Sequence, residues 1–222
     1  RRYKVPFVVE VREMWPDTLV EQGVLRKGWM LNMMKKAETY LYKKADAILT
    51  PTKGYARRIV ETGVNAKKVY LITDGVTDDA LNTLANMDEA QVESLRTELQ
   101  LNPLTRTVLY LGDHGLNQAL GQVVDAAKIL LPRSDIVFLL VGDGSEKERI
   151  KKISRGLPNV QFIPMPERQR MWAFLKLAYV SIVPQKDAKV LESQLPDGLF
   201  DVMASGKKAI RQLGFQHLGV LL

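Results

Sequence analysis

The chain has 222 residues, 46% hydrophobic and 26% charged, a balance ordinary for a globular protein and long enough to bury a core. It contains no cysteine, which excludes disulfides, thiolate metal ligands and a cysteine nucleophile. A net charge of +7 either simply solubilises the chain or suits an anionic partner: nucleic acid, a phosphorylated metabolite or an acidic membrane surface.

The opening Arg1-Arg2-Tyr3-Lys4 is basic but has no apolar signal-peptide core behind it, and no apolar run approaches the roughly 18 residues that span a bilayer. The chain lacks an initiator Met and reads as a fragment or a processed product. Residues 5–11 (VPFVVEV) predict a buried strand. Residues 27–44 predict a helix, with Trp29, Met33, Ala37 and Leu41 at four-residue spacing. Its Met and Trp side chains are expected in the core; the alternative is that this basic helix meets an anionic membrane. Short strands at 47–49 and 69–72 flank a basic helix at 55–62, and Asp74-Gly75 makes a turn. Residues 88–99 read as a surface helix ended by Asn102-Pro103, the expected connector between two domains.

Beyond the connector the rhythm is cleaner. Apolar strands are predicted at 107–111, 136–141, 160–163 and 180–183, alternating with helices at 116–131, 145–154, 168–177 and 199–204. Strands so uniformly apolar, alternating with helices, imply a parallel sheet covered on both faces, an α/β fold.

Ligands of open parallel sheets bind beyond the carboxyl ends of the strands. Three loops occupy that edge: Gly112-Asp113-His114-Gly115, Gly142-Asp143-Gly144, and the stretch 184–198. Glycines before a helix let backbone N–H groups approach an anion such as a diphosphate, although tight βα turns use them too. The His114 imidazole either donates to a phosphate oxygen or is a solvated loop residue. Lys186 and Lys189 either balance a leaving diphosphate or are solvated. Asp201 either accepts from a ribose or is a surface carboxylate. His217 is remote, and no ligand spacing for a metal is present. No catalytic residue is assigned.

The order VLYLGDHG, FLLVGDG, LPDGLFDVMASGK resembles the donor domain of glycosyltransferase family 4, of GT-B fold, most closely its WbuB-like members that build bacterial lipopolysaccharide and capsule. The segments VPFVVEVREMWPDTLVEQGVL and ADAILTPTKGYARRIVETGVNAKKVYLITDGV resemble the late N-terminal domain and hinge of those enzymes, so the likeness spans residues 5–210. The resemblance implies an α/β chain: residues 1–86 are the late part of an acceptor-side Rossmann-like domain, 87–104 a connecting helix, and 105–222 an incomplete Rossmann-like donor domain. It implies retaining, metal-free transfer from a nucleotide-diphosphate sugar, by default a UDP-sugar, with no cofactor. The acceptor would be a lipid-linked or other glycan, met in the cytoplasm or at the inner face of its membrane. Gly112, Asp113, His114, Gly115 and Lys186 would hold the donor diphosphate; Gly142, Asp143, Gly144 and Asp201 would hold the nucleotide and ribose.

Four departures accompany it. Asp197 and Gly198 stand where the family usually has Ser and Lys, Asp201 replaces a Glu, Lys208 a Pro, and Asp74 the Asn of an Asn-Gly-Val turn. The first half of an acceptor domain is not recognisable, and the stretch after Ile210 no longer matches. These departures support a second reading, a non-catalytic remnant that binds a protein partner. Nucleic-acid binding ranks last, because no basic–aromatic motif accompanies the charge.

Overall fold

The run Ile136–Val141 is apolar at every position, so it gains most where both faces are covered. In the computed structural model it forms β5, an interior strand of a six-stranded sheet, with Leu139 and Leu140 wholly buried. Burying a leucine side chain contributes about 1.5–3 kcal/mol. The structure describes residues 5–187, 193–196, 198–213 and 217–221, with 212–213 and 217–221 described by backbone alone. The predicted position Lys189 and the Asp197 departure lie outside the described residues.

Two compact units divide after Asp74, and the described residues 193–195 group with the first. In the first, β1 (Val8–Glu10), β2 (Ala47–Thr50) and β3 (Val69–Leu71) form a parallel sheet in that order. Two short helical elements join α2 (Trp29–Lys44) and α3 (Lys53–Glu61) here: α1 (Asp17–Glu21) and a single 3-10 turn, Ala66–Lys68. The Thr52 hydroxyl caps α3 by accepting from the Tyr55 N–H at 3.1 Å, satisfying one of the four orphan donors of a helix start. Val11, Met14, Tyr42, Ile48, Tyr55 and Ile59 form this unit's core.

Helix α2 corrects one expectation. Its inward residues are Leu31 and Tyr42, whereas the regularly spaced Trp29, Met33, Ala37 and Leu41 face outward. The four-residue row is real, but it is not the row that meets the sheet.

The second unit begins at Gly75. Helix α4 (Asp78–Ala85), absent from the predicted elements, is capped by the Thr77 hydroxyl, and α5 (Glu89–Glu98) by the Asp88 carboxylate. The Leu99-to-Pro103 stretch ends α5 through Gln100, whose φ of 54° is left-handed. Strand β4 (Arg106–Leu111) pairs with β5 on one side and with β7 (Val180–Gln185) on the other. Between them in sequence come α6 (Leu120–Ile129), α7 (Lys147–Ile153), β6 (Val160–Ile163) and α8 (Arg168–Leu177). Then follow α9 (Gly198–Ala204), β8 (Lys208–Leu213) and β9 (His217–Leu221), giving the sheet order β6-β5-β4-β7-β8-β9. Strands β8 and β9 were not among the predicted elements: β8 extends the parallel sheet and β9 closes it antiparallel.

Helix α6 carries Gly121 in its first turn, where an added methyl would meet nothing nearer than the Ile153 Cδ1 at 4.0 Å. Gly121→Ala is therefore expected to stabilise the protein by about 0.5 kcal/mol, through lost unfolded-state freedom alone. Urea unfolding midpoints of the two proteins check this, and an unchanged slope is expected with the raised midpoint.

Candidate functional site

Chain order places the site. From β4 the chain steps outward to β5 and β6, then returns through α8 to β7 on the other side of β4. The crevice between the carboxyl ends of β4 and β7 is therefore a topological switch point, where α/β sheets open for ligands. The starts of all three predicted loops lie at this edge. Gly112 follows β4, Gly142 follows β5, and Lys186 follows β7. Helix α9 begins beside the end of β4, its Gly198 facing the Leu111 carbonyl, and Asp201 sits half-buried in its first turn.

The first two loops are knitted together by backbone. Gly112 N–H donates to the Val141 carbonyl at 3.0 Å and His114 N–H to the Asp143 carbonyl at 2.7 Å, while Glu146 N–H returns to the His114 carbonyl at 2.8 Å. The Tyr110 hydroxyl donates to the Asp113 carbonyl from below. Two of the four N–H groups in the 112–115 loop are thus consumed. Those of Asp113 and Gly115 have no backbone partner among the described residues and remain as donors for an anion.

Lys147 was not anticipated, although it stands four residues after Asp143, at the start of α7. Its ammonium donates to the Gly142 carbonyl at 2.9 Å and to the Asp143 carboxylate at 3.0 Å. That bond, helped by the Gly144 N–H, holds the Asp143 carboxyl below the usual carboxylate range. Lys147 is a clasp on the turn, so its charge is already answered. Lys186 is exposed, and its N–H donates to the Asn117 carbonyl at 2.9 Å, tying the end of β7 to the loop after β4. Arg211 on β8 also went unpredicted. Its guanidinium donates to the Gln185 side-chain oxygen at 3.3 Å, and burial lowers its pKa. Its signal was weak, lying where the likeness to known sequences ends.

His114 is placed where neither sequence alternative put it. The ring is wholly buried beneath the loop, 5.6 Å from the Tyr110 ring centroid and 6.4 Å from that of Phe162. Neither Nδ1 nor Nε2 has a hydrogen-bond partner among the described residues. Burial, seconded by Lys147, pushes its pKa down, against a weaker opposing pull from Asp143 and Asp113. A neutral ring in the fold and an ordinary ring in the unfolded chain give a definite sign. The unfolded state binds more protons below its pKa of about 6.5, so this contribution is present above that pH and is lost as pH falls through the folded value. Urea midpoints at pH 7.5 and pH 5 are expected to differ more in the native protein than in His114→Leu, which removes the titrating group; equal differences would place the acid sensitivity elsewhere.

No protein-family model matches the chain. It is 26% identical over 208 residues to WcaI of Escherichia coli K12, described as a colanic acid biosynthesis glycosyl transferase, covering 91% of this chain and 50% of that protein. Among solved structures it is similar to HepE of Anabaena in complex with UDP and glucose, with TM-score 0.72, 15% identity, and coverage of 94% and 53% of the two chains. Sucrose-phosphate synthase of Thermosynechococcus elongatus gives TM-score 0.70 at 18% identity, with coverage of 96% and 52%. The chain thus spans about half the length of these relatives. Its fold is α/β of GT-B type, Rossmann-like, and its likeness to glycosyltransferases of family 4 holds beyond the motifs.

Proposed function

We propose that the chain carries the donor-binding part of a retaining nucleotide-sugar glycosyltransferase of surface-polysaccharide synthesis. The observation that carries the proposal is the meeting of the 112–115 loop, the 142–144 turn, Lys186 and Asp201 at one switch point. In this reading residues 105–222 are the donor side, 1–86 the late acceptor side, and 87–104 their connector. The Asp113 and Gly115 N–H groups and Lys186 meet the diphosphate, and Asp201 accepts from the ribose. The 142–144 turn lines the nucleotide pocket and His114 supports the loop from beneath. In the transfer the bond from the anomeric carbon to the diphosphate oxygen breaks and one to an acceptor oxygen forms on the same face. The acceptor's proton leaves with the departing nucleotide diphosphate. Binding of UDP and UDP-glucose by HepE supports a UDP-sugar donor, and the default acceptor is a lipid-linked glycan at the inner face of the cytoplasmic membrane.

Calorimetric titration with UDP, GDP and UDP-sugars tests this reading. Saturable binding of UDP supports it, and a folded protein that binds none of them refutes it. The second reading, a non-catalytic subunit with a protein partner, is favoured by Gly198, which puts no cation where the family usually has one. Gly198 has room, its added Cβ lying at an ordinary 3.5 Å from the Leu111 carbonyl. Gly198→Lys is expected to tighten UDP binding by about tenfold, the worth of one charge-assisted hydrogen bond. The same titration reads it, and an unchanged affinity would mean that α9 does not face the phosphates.

A further inference from the structure

The second unit holds an apolar trough on a face of its sheet, away from the loops beyond the carboxyl ends of the strands. Val108 pairs with Phe138, and Ile182 with Ile210, so these side chains form a floor across β5, β4, β7 and β8. Helix α6 supplies one wall through Ala126 and Leu130. On the opposite face of the sheet Ser181, Val183 and Ala209 are buried, whereas Ile182 and Ile210 on the trough side are only half-buried. A parallel sheet gains from cover on both faces, and the trough side is the one still short of it. The space measures about 380 Å³, within the range of roughly 300–1,000 Å³ usual for small-molecule sites.

Polar groups stand at its two ends. Helix α6 runs back along the strands, so Gln122 near its start lies toward their carboxyl ends, with Arg106, Arg133 and Tyr179 at the amino ends. From Gln122 to Leu130 the helix rises about 12 Å, the span of an extended chain of about ten bonds. Arg133 is engaged with Asp135 through two hydrogen bonds, at 2.9 and 3.0 Å. Arg106 approaches the same carboxylate only at 3.7 Å, and its guanidinium carbon lies 5.4 Å from the Tyr179 ring centroid. One carboxylate thus faces two guanidiniums, and the Arg106 donors make no hydrogen bond among the described residues. At the other end Gln122 Oε1 is buried with no hydrogen-bond partner among the described residues. A buried acceptor left in that state is costly, and a ligand's donor would relieve it.

A cation at one end, an apolar floor and a lone acceptor at the other describe one class of ligand. We propose that the trough binds a medium-chain hydroxy-carboxylate. Its carboxylate meets Arg106 through charge-assisted hydrogen bonds. Its alkyl chain lies over Val108, Phe138 and Ile182, and its distal hydroxyl donates to Gln122 Oε1. This site is independent of the donor reading, because it uses none of the residues placed around the nucleotide sugar.

Calorimetric titration of the whole chain with ω-hydroxydecanoate, kept below micelle formation, tests the site. Saturable binding is expected, about tenfold weaker for ω-hydroxyoctanoate, which buries two methylenes fewer. Ala126→Phe fills the trough and should abolish binding, while its circular dichroism matches that of the native chain. Arg106→Gln should weaken binding about tenfold, the worth of a charge-assisted hydrogen bond. Gln122→Leu should move the preference between ω-hydroxydecanoate and decanoate about tenfold toward decanoate. Absence of saturable binding, full binding by Ala126→Phe, or a preference unmoved in Gln122→Leu would overturn the proposal. So would a concentration-dependent dimer that Ala126→Phe abolishes, which would make the trough a contact between copies of the chain. Uptake of the hydroxy-carboxylate by a chain that binds no UDP would leave this site standing while removing the donor site.

Discussion

Gly142→Ala is expected to destabilise the protein by about 3 kcal/mol or more, the largest stability effect of any single methyl added to this chain. Two independent causes act at one position. Its φ of 145° lies where L-residues are strained. A Cβ there would also sit 1.9 Å from the Gly112 carbonyl oxygen, a backbone atom of a residue just past β4 whose N–H is bonded to the Val141 carbonyl. Gly144 repeats the arrangement at φ 154°, with the His114 carbonyl carbon and oxygen 2.6 Å from its added Cβ. Gly75→Ala is the control: nothing lies within 4 Å of its Cβ, and its effect should be within about 0.5 kcal/mol. Urea or thermal unfolding of the three variants checks the ranking. A Gly142→Ala protein as stable as Gly75→Ala would mean that the two loops do not interlock as described.

The same contact explains what was and was not legible in the sequence. Strands β5 and β6 and helix α8 match their predicted limits residue for residue. Each is a short run whose own pattern fixes its type, bounded by turn residues. The site's loops were legible as glycine-rich turns at strand ends, because parallel topology sends those ends to one edge. Their interlocking was not. The bonds from Gly112 to Val141 and from His114 to Asp143 join residues about thirty apart, and no local pattern carries them. His114 reads as a loop residue in sequence and lies in the core because the 142–144 turn closes over it. The facing of α2 failed for a related reason. A four-residue apolar row marks one side of a helix without saying which side meets the sheet, and Leu31 with Tyr42 took that place. Strand β8, KAIRQL, mixes charged and apolar residues without strict alternation and straddles the end of the recognisable likeness at Ile210, so nothing local marked it as the next parallel neighbour of β7.

Asp201→Ala is expected to weaken UDP binding by about tenfold to a hundredfold, the 1.5–3 kcal/mol typical of hydrogen bonds to an ionised acceptor. Position supplies the argument. Asp201 is in the first turn of α9, and α9 starts beside the Leu111 carbonyl at the end of the central strand β4. A carboxylate at a helix start also interacts with the helix dipole, so the substitution carries a separate stability cost of about 0.5 kcal/mol. Affinity and stability must therefore be read on the same sample, by titration calorimetry and by urea unfolding. Asp201→Glu separates the two contributions, because it keeps the charge at the helix start and restores the longer carboxylate usual among the family it resembles. It should bind UDP at least as tightly as the native chain. Loss of affinity in the Ala variant with its retention in the Glu variant would fix the carboxylate as a ligand group. A folded Ala variant of unchanged affinity would assign Asp201 to the helix start alone and leave the 112–115 loop with Lys186 to carry whatever donor binding remains.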